Sequence, residues 1–284
     1  MSPVRNIIWI ASYPKSGNTW FRIFLTNLLS SSIEAVNINE LDKTMLASDR
    51  SIFDRIMGVN SSDLKDEEIR ILRPHFYRFL SSDTENVIYI KVHDAWERNN
   101  KQVPLFPKEI TKGVIYIIRH PLDVAVSFAY HRGISFEQSL AQLDDETNAL
   151  CKKNDRLFNQ FTQRLYSWSK HVTSWIDNST LPIYVIKYED LLTNALAEFK
   201  NAIEFLELEY SISEVERAVL NSRFELLKKQ ETKGGFREKP INLSSFFRSG
   251  STGNWKDHYS QDQIKSFVGK NHELLDRFSY NFDF

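Results

Sequence analysis

The segment Ser12-Tyr13-Pro14-Lys15-Ser16-Gly17-Asn18-Thr19-Trp20 has the residue types best suited to holding an anion. It follows an apolar run at 7–11 and opens a helical pattern at Asn18. A helix start offers unpaired N–H groups and the positive end of the helix dipole, and Lys15 adds a full charge beside them. Gly17 lets the backbone approach a phosphate closely. Ser16, Asn18 and Thr19 add hydroxyl or amide donors. The spacing is not that of a Walker A loop, G-x-x-x-x-G-K-[ST], because the Lys precedes the Gly and the first Gly is missing. A P-loop nucleotide kinase using ATP and Mg is therefore disfavoured at the motif level. Arg119 stands at the end of a second apolar run, with Ser127 on the helical pattern that follows. A guanidinium matches a phosphate in a bidentate manner. Lys91 and His93 follow a third run, and an imidazole can take a proton from a hydroxyl at neutral pH.

These groups need a scaffold that brings strand ends together. Compact apolar runs at 7–11, 87–90, 114–118 and 183–186 read as strands buried on both faces. Each leads through polar residues into a helical pattern. The helices are expected at 18–29, 121–131, 155–177, 193–206, 213–221 and 260–279, with Pro121 well placed in a first turn. Alternating strands and helices predict an α/β fold with a central parallel β-sheet flanked by helices. Residues 30–85 hold no buried-strand run and are expected to be helices and loops over one end of the sheet. Residues 132–155 look similar, and 229–256 read as a long functional loop. No repeat or linker interrupts the chain, so residues 1–284 are expected to form one domain.

Composition narrows the function. The 284 residues carry 36 Lys+Arg against 37 Asp+Glu, a net charge of −1, which argues against a general nucleic-acid binder. No apolar run is long enough for a membrane span. No basic segment precedes a long apolar stretch near the N-terminus, so a soluble, cytoplasmic protein is expected. Cys151 is the single cysteine, so no internal disulfide can form, and no Cys/His cluster has metal spacing.

The segment at 13–20 resembles the 5′-phosphosulfate loop of the cytosolic-type sulfotransferases and their bacterial relatives, Y-P-K-S-G-T-T-W, with Asn18 as the one change. These enzymes use 3′-phosphoadenosine 5′-phosphosulfate (PAPS) and leave adenosine 3′,5′-bisphosphate. Arg119-His-Pro-Leu-Asp-Val-Ala-Val-Ser127 resembles their 3′-phosphate element. Residues 247–256 resemble their R-K-G-x-x-G-D-W-K loop: Arg248 and Gly250 are kept, and Ser249 replaces a Lys. Lys187-Tyr188-Glu189-Asp190 resembles the segment that puts Tyr188 near the adenine. The stretch from Ser222 to Leu227 resembles the one that holds the base, with Ser222 on its edge and Phe224 and Trp20 on its faces. The likeness runs from about residue 7 to about 256 and implies a P-loop-like fold. It implies nucleotide contacts from Lys15, Ser16, Gly17, Asn18, Thr19, Trp20, Arg119, Ser127, Tyr188, Ser222, Phe224, Leu227, Phe247, Arg248, Ser249 and Gly250.

The resemblance also implies a mechanism. Lys91-Val92-His93 stands where the family carries K-T-H, which makes His93 the general base and Lys15, Lys91 and Ser127 its catalytic partners. Sulfuryl transfer is an in-line displacement with charge building on the leaving oxygen. Lys15 would stabilise that oxygen and Lys91 the sulfuryl oxygens, with no metal required. The acceptor is expected to be a small hydroxylated molecule. Phe53, Phe76, Tyr77, Phe79, Trp96 and Phe136, in the variable regions, could line an apolar pocket for it or serve the core. Two alternatives stand beside this reading: the nucleotide kinase, and a non-catalytic nucleotide-binding module.

Overall fold

The computed structural model describes residues 4–152, 157–240, 243–280 and 282. Among the described residues there are seven strands: β1 (Ile7–Ser12), β2 (Thr44–Leu46), β3 (Ile88–Val92), β4 (Thr111–Ile118), β5 (Ala149–Leu150), β6 (Gln163–Arg164) and β7 (Ile183–Lys187). Five of them form one parallel sheet in the order β2-β3-β1-β4-β7, and β5 pairs with β6 in a small antiparallel ribbon. The α-helices are α1 (Asn18–Leu29), α2 (Arg50–Met57), α3 (Asp66–Ser82), α4 (Pro121–Arg132), α5 (Phe136–Leu143), α6 (Trp168–Ile176), α7 (Tyr188–Phe205), α8 (Ile212–Asn221), α9 (Phe224–Gly234) and α10 (Gln261–Arg277).

The period-two geometry of a strand sorts the apolar residues into two cores. Ile7, Trp9 and Ala11 of β1 join Val114, Tyr116 and Ile118 of β4 on one face. Ile8 and Ile10 join Ile115, Ile117 and the α1 residues Phe21, Phe24 and Leu25 on the other. Every residue of β1 is buried, which is why the run reads as continuous rather than alternating. Register then places the chemistry. Ala11 pairs with Val92, so Ser12 and His93 emerge side by side at the carboxyl edge. Ser12 also pairs with Ile117, so the β1 loop and Arg119 leave the same edge. Ligand crevices of open α/β sheets form at that edge.

Four sequence expectations need correction. β2 lies within 30–85, where no strand was expected. It is three residues long and joins the sheet edge through β3, too short to give a run. The helix expected over 155–177 exists only as Trp168–Ile176. Residues 155 and 156 lie outside the described ones, and Gln163–Arg164 is strand. Ser167 ends that extended stretch by capping α6, its hydroxyl accepting from the Lys170 N–H. The long loop expected over 229–256 begins inside α9, which runs to Gly234 before Gly235 turns the chain at φ 72°. The helix expected at 193–206 starts earlier, at Tyr188, and is bent at Asn194.

Asp94 follows His93 but points the other way. Its carboxylate accepts from both Nη atoms of Arg73 at 2.9 Å, and both side chains are fully buried. Removing one partner of such a pair leaves an uncompensated buried charge, at a cost of about 3–5 kcal/mol. We expect Asp94→Ala to lose that much stability in urea unfolding, and the double variant Arg73→Met, Asp94→Leu to lose clearly less.

Candidate active site

One cavity of about 1370 Å³ lies over the carboxyl edge of the sheet, and the loop after β1 forms its floor. Gly17 is the N-cap of α1, with φ 110°, and its carbonyl accepts from the Trp20 and Phe21 N–H groups. A Cβ at Gly17 would stand 2.8 Å from the Tyr188 ring, so both the backbone conformation and the space require glycine. Lys15 has φ 71°, a left-handed conformation that costs a non-glycine residue about 1–2 kcal/mol. Strain of that kind collects at functional sites.

The Lys15 ammonium faces Phe246 at 4.3 Å from the ring centroid and lies 3.4 Å from His131 Nδ1. Burial pulls its pKa down to about 7, and the charges of Arg119, Lys91 and Arg248 add to the shift. Burial, with Lys15 and Lys91 nearby, pulls His131 down to about 3, so its neutral ring accepts from Lys15. Asn18 is placed differently from expectation. Its side-chain amide donates to Ile10 O at 2.9 Å and to Ser12 Oγ at 3.3 Å. It ties the loop to β1, and what it can offer a ligand is its backbone N–H.

His93 stands at the end of β3 with Nδ1 2.9 Å from Ser12 O. A carbonyl can only accept, so this contact assigns the proton to Nδ1 and leaves the Nε2 lone pair as the basic one. His171 fixes the backbone at this point: Nε2 donates to His93 O at 3.1 Å, and Nδ1 accepts from Tyr116 OH at 2.8 Å. Burial, joined by the Lys91 charge, holds His93 well below the ordinary imidazole range. The ring is therefore neutral into more acidic solution than an ordinary imidazole.

Arg119 clamps two segments. Nη1 donates to Lys15 O at 3.1 Å and Nη2 to Ser251 O at 3.0 Å, while the guanidinium lies 4.3 Å from the centroid of the Tyr188 ring. Its Nε is buried without a partner. Asp123 of α4 holds the 252–255 segment in place, accepting from Thr252 Oγ1, the Gly253 N–H and the Trp255 N–H. Arg248 rests on Tyr130, and Ser249 is bound to Ser251 rather than aimed as a charge would be. Gly250 has φ 60°, and a Cβ there would meet the Phe224 ring at 2.6 Å.

Lys15, Gly17, Asn18, Thr19, Trp20, Lys91, His93, Arg119, Ser127, Tyr188, Phe224, Leu227, Phe247, Arg248, Ser249 and Gly250 all line the cavity. Two residues singled out from sequence do not. Ser16 is buried, with Oγ unpartnered. Ser222 is fully buried, and its hydroxyl donates to Val219 O at 3.1 Å, back into α8. The six aromatics considered for an acceptor pocket do not line it either, and Phe53, Phe76 and Tyr77 are core. That end is walled by Met45, Leu46, Ile52, Ile56, Leu80, Leu150 and Phe158.

Sequence reasoning missed Arg22, His131, Glu238 and Phe246, which also line the cavity. Arg22 was findable: it lies one helical turn after Asn18, on the face of α1 that follows the loop. His131 lies one turn after Ser127 by the same argument. Glu238 carried no such signal, since a carboxylate is not sought among anion-binding groups.

The fit to a nucleotide carrying several anionic groups can be tested on these residues. Eight lysines and arginines line one cavity, Trp20 Nε1 and Arg119 Nε are buried without partners, and Gly17 and Gly250 keep the backbone free of side-chain bulk. The residues fit such a ligand.

The family model of the sulfotransferase domain matches residues 5–279. Mouse sulfotransferase 1B1 is 24% identical over 270 residues, covering 92% of this chain and 79% of that protein. The crystal structure of mouse sulfotransferase SULT7A1, complexed with PAP, covers 95% of this chain and 84% of its own at 20% identity, with a TM-score of 0.60. That of retinol dehydratase, in complex with androsterone and PAP, covers 96% and 82% at 18% identity, with a TM-score of 0.61. These two share the fold, and with the match of the family model along the sequence, the chain belongs to the sulfotransferase family.

Proposed function

We propose that this chain, acting as one domain over residues 1–284, transfers a sulfuryl group from PAPS to a hydroxyl of a small acceptor. The observation that carries the reading is the meeting of Lys15, Lys91, His93, Arg119 and Ser127 on one cavity. PAPS would supply the sulfuryl group together with its leaving phosphate. The N–H groups that open α1 would hold the 5′-phosphate, and Lys15 would meet the charge that develops on the leaving oxygen. Arg119 and Ser127 would bind the 3′-phosphate, helped by Arg248 and the Gly250 N–H. Trp20, Phe224 and Tyr188 would surround the base. Lys91 would face the sulfuryl oxygens, and His93 Nε2 would take the acceptor's proton. Lysines and arginines supply the positive charge in this scheme, so no metal is needed. The apolar wall formed by Met45, Leu46, Ile52, Ile56, Leu80, Leu150 and Phe158 favours an acceptor with an apolar body, and the related retinol dehydratase was crystallised with androsterone.

The first test is nucleotide binding. Adenosine 3′,5′-bisphosphate should raise the melting temperature and bind more tightly than adenosine 5′-monophosphate, with ATP and Mg giving no larger effect. Arg119→Ala should lose about 1.5–3 kcal/mol toward the bisphosphate and much less toward the monophosphate. Equal weakening of both would remove Arg119 from the 3′ position. A preference for ATP, with activity abolished by EDTA, would favour the kinase reading.

His93→Ala should retain the nucleotide and lose about 10²–10⁴-fold in transfer rate. The wild-type rate should fall in acid only well below pH 6.5, because burial keeps the ring neutral until then. The residual activity of the variant should lack that limb. A nitrophenol, already ionised near neutrality, should partly rescue it. Wild-type transfer to an alkyl alcohol by the variant would exclude His93 as base.

Lys15 gives a proton-linked prediction. With a pKa near 7 it is largely neutral at pH 8, and a bound anion favours its charged form. Bisphosphate binding at pH 8 should therefore take up close to one proton, and uptake should vanish below pH 6. Calorimetry in buffers of different ionisation enthalpy measures this, and Lys15→Met should abolish it.

A further inference from the structure

Arg22 and Glu238 have no part in the mechanism above, yet they sit beside Lys91. The Arg22 side chain is 2% exposed, and its orientation is set from behind. Nε donates to Thr44 Oγ1 at 2.8 Å, and the Thr44 hydroxyl in turn donates to Leu41 O at 3.0 Å. Nη1 meets both oxygens of Glu238, at 2.8 and 3.1 Å. The oxygen at 3.1 Å from Arg22 is also 3.3 Å from Lys91 Nζ. One carboxylate oxygen therefore lies between two cavity-lining cations, one fixed on α1 and the other on β3. Glu238 comes from neither element. It belongs to the stretch between α9 and the 247–253 loop, and it is 21% exposed.

Two buried cations side by side need an anion between them. Glu238 provides it, and although burial alone would raise its pKa, Lys91 and Arg22 hold it down at about 2. A ligand oxygen that used Lys91 would come close to this carboxylate oxygen, and like charges so placed repel in a partly buried site, so the two compete for the cation.

We propose that Arg22 and Lys91 form an oxyanion subsite beside the nucleotide loop, and that Glu238 is its internal occupant, competing with the ligand's oxyanion. The proposal rests on the reading that Lys91 faces the transferring group. Two parts of the reaction could supply the oxyanion: the sulfuryl group of the donor, or an acidic group on the acceptor. Arg22 adds a contact to whichever enters, and Glu238 sets how tightly that ligand is held.

Two ratios test this in the wild type, Glu238→Gln and Arg22→Gln. The first is the affinity for PAPS over that for adenosine 3′,5′-bisphosphate, which lacks the sulfuryl group, measured by titration calorimetry. The second is the KM for 4-hydroxybenzoate over that for its neutral amide. With the sulfuryl group as source, Glu238→Gln should raise the first ratio and Arg22→Gln lower it, each by roughly 10–100-fold, the size of a charge-assisted contact. The second ratio should then stay put. With the acceptor as source, the first ratio should hold, while Glu238→Gln favours the benzoate and Arg22→Gln disfavours it. Either pattern supports the subsite. Both ratios unchanged, whether or not PAPS and the bisphosphate shift together, would overturn it. Should Arg22→Gln fail to fold, Glu238→Gln, at a partly exposed position, decides alone. A wild type that binds neither nucleotide overturns the sulfuryl-transfer reading, and the subsite with it. Wild-type binding with unresponsive ratios overturns the subsite only.

Discussion

Lys15, Lys91, Arg119 and Arg248 share one cavity, and holding these like charges together against their repulsion is the constraint on which the site depends. The electrostatic cost shows in Lys15, whose ammonium is brought near neutrality by burial and by the other three. A flexible surface would relieve the crowding by letting the side chains spread. Here three of the four are fixed by elements that cannot move alone. Lys15 follows a fully buried strand, Lys91 is in register with Ile10 of that strand, and Arg119 leaves the strand on its other side. The cohesion of two apolar cores keeps the charges in place, and the resulting field favours polyanions.

The same scaffold sets the state of His93. The Ser12 carbonyl assigns the His93 proton, and the Tyr116–His171 pair fixes the His93 backbone from below. Both come from buried strand and helix positions. The imidazole is thus oriented by the sheet itself, whereas Asp94, the adjacent carboxylate, is occupied by Arg73. An imidazole without a carboxylate partner gains no electrostatic support for its charged form, in keeping with its depressed pKa.

Much of this was legible in the sequence because it depends on local pattern. The buried strands 7–11 and 114–118 show as unbroken apolar runs, and helix α1 agrees with the sequence to the residue because loop, glycine cap and amphipathic face are contiguous. What escaped depends on pairing between distant segments. β2 exists only because Thr44–Leu46 meets β3, and nothing in those residues alone demands a strand. Asn18 looks like a ligand donor until Ile10 O and Ser12 Oγ are seen behind it. Ser222 looks like a base contact until its hydroxyl is found bonded to the preceding turn. Glu238 reaches Arg22 across more than two hundred residues, a distance over which spacing conveys nothing.

The tie from Asn18 to β1 bears on how the loop meets a ligand. A glycine-containing loop with few internal bonds would sample many shapes and lose that freedom on binding. Here the amide joins the loop to a buried strand, so the freedom is already lost when the chain folds. A loop held in this way would present a preformed backbone to an anion, and affinity would reflect how well the anion fits rather than how readily the backbone closes. Adaptation to a different nucleotide would then have to occur at the outer rings, Trp20 and Phe224, where the walls are side chains and can change without disturbing the sheet.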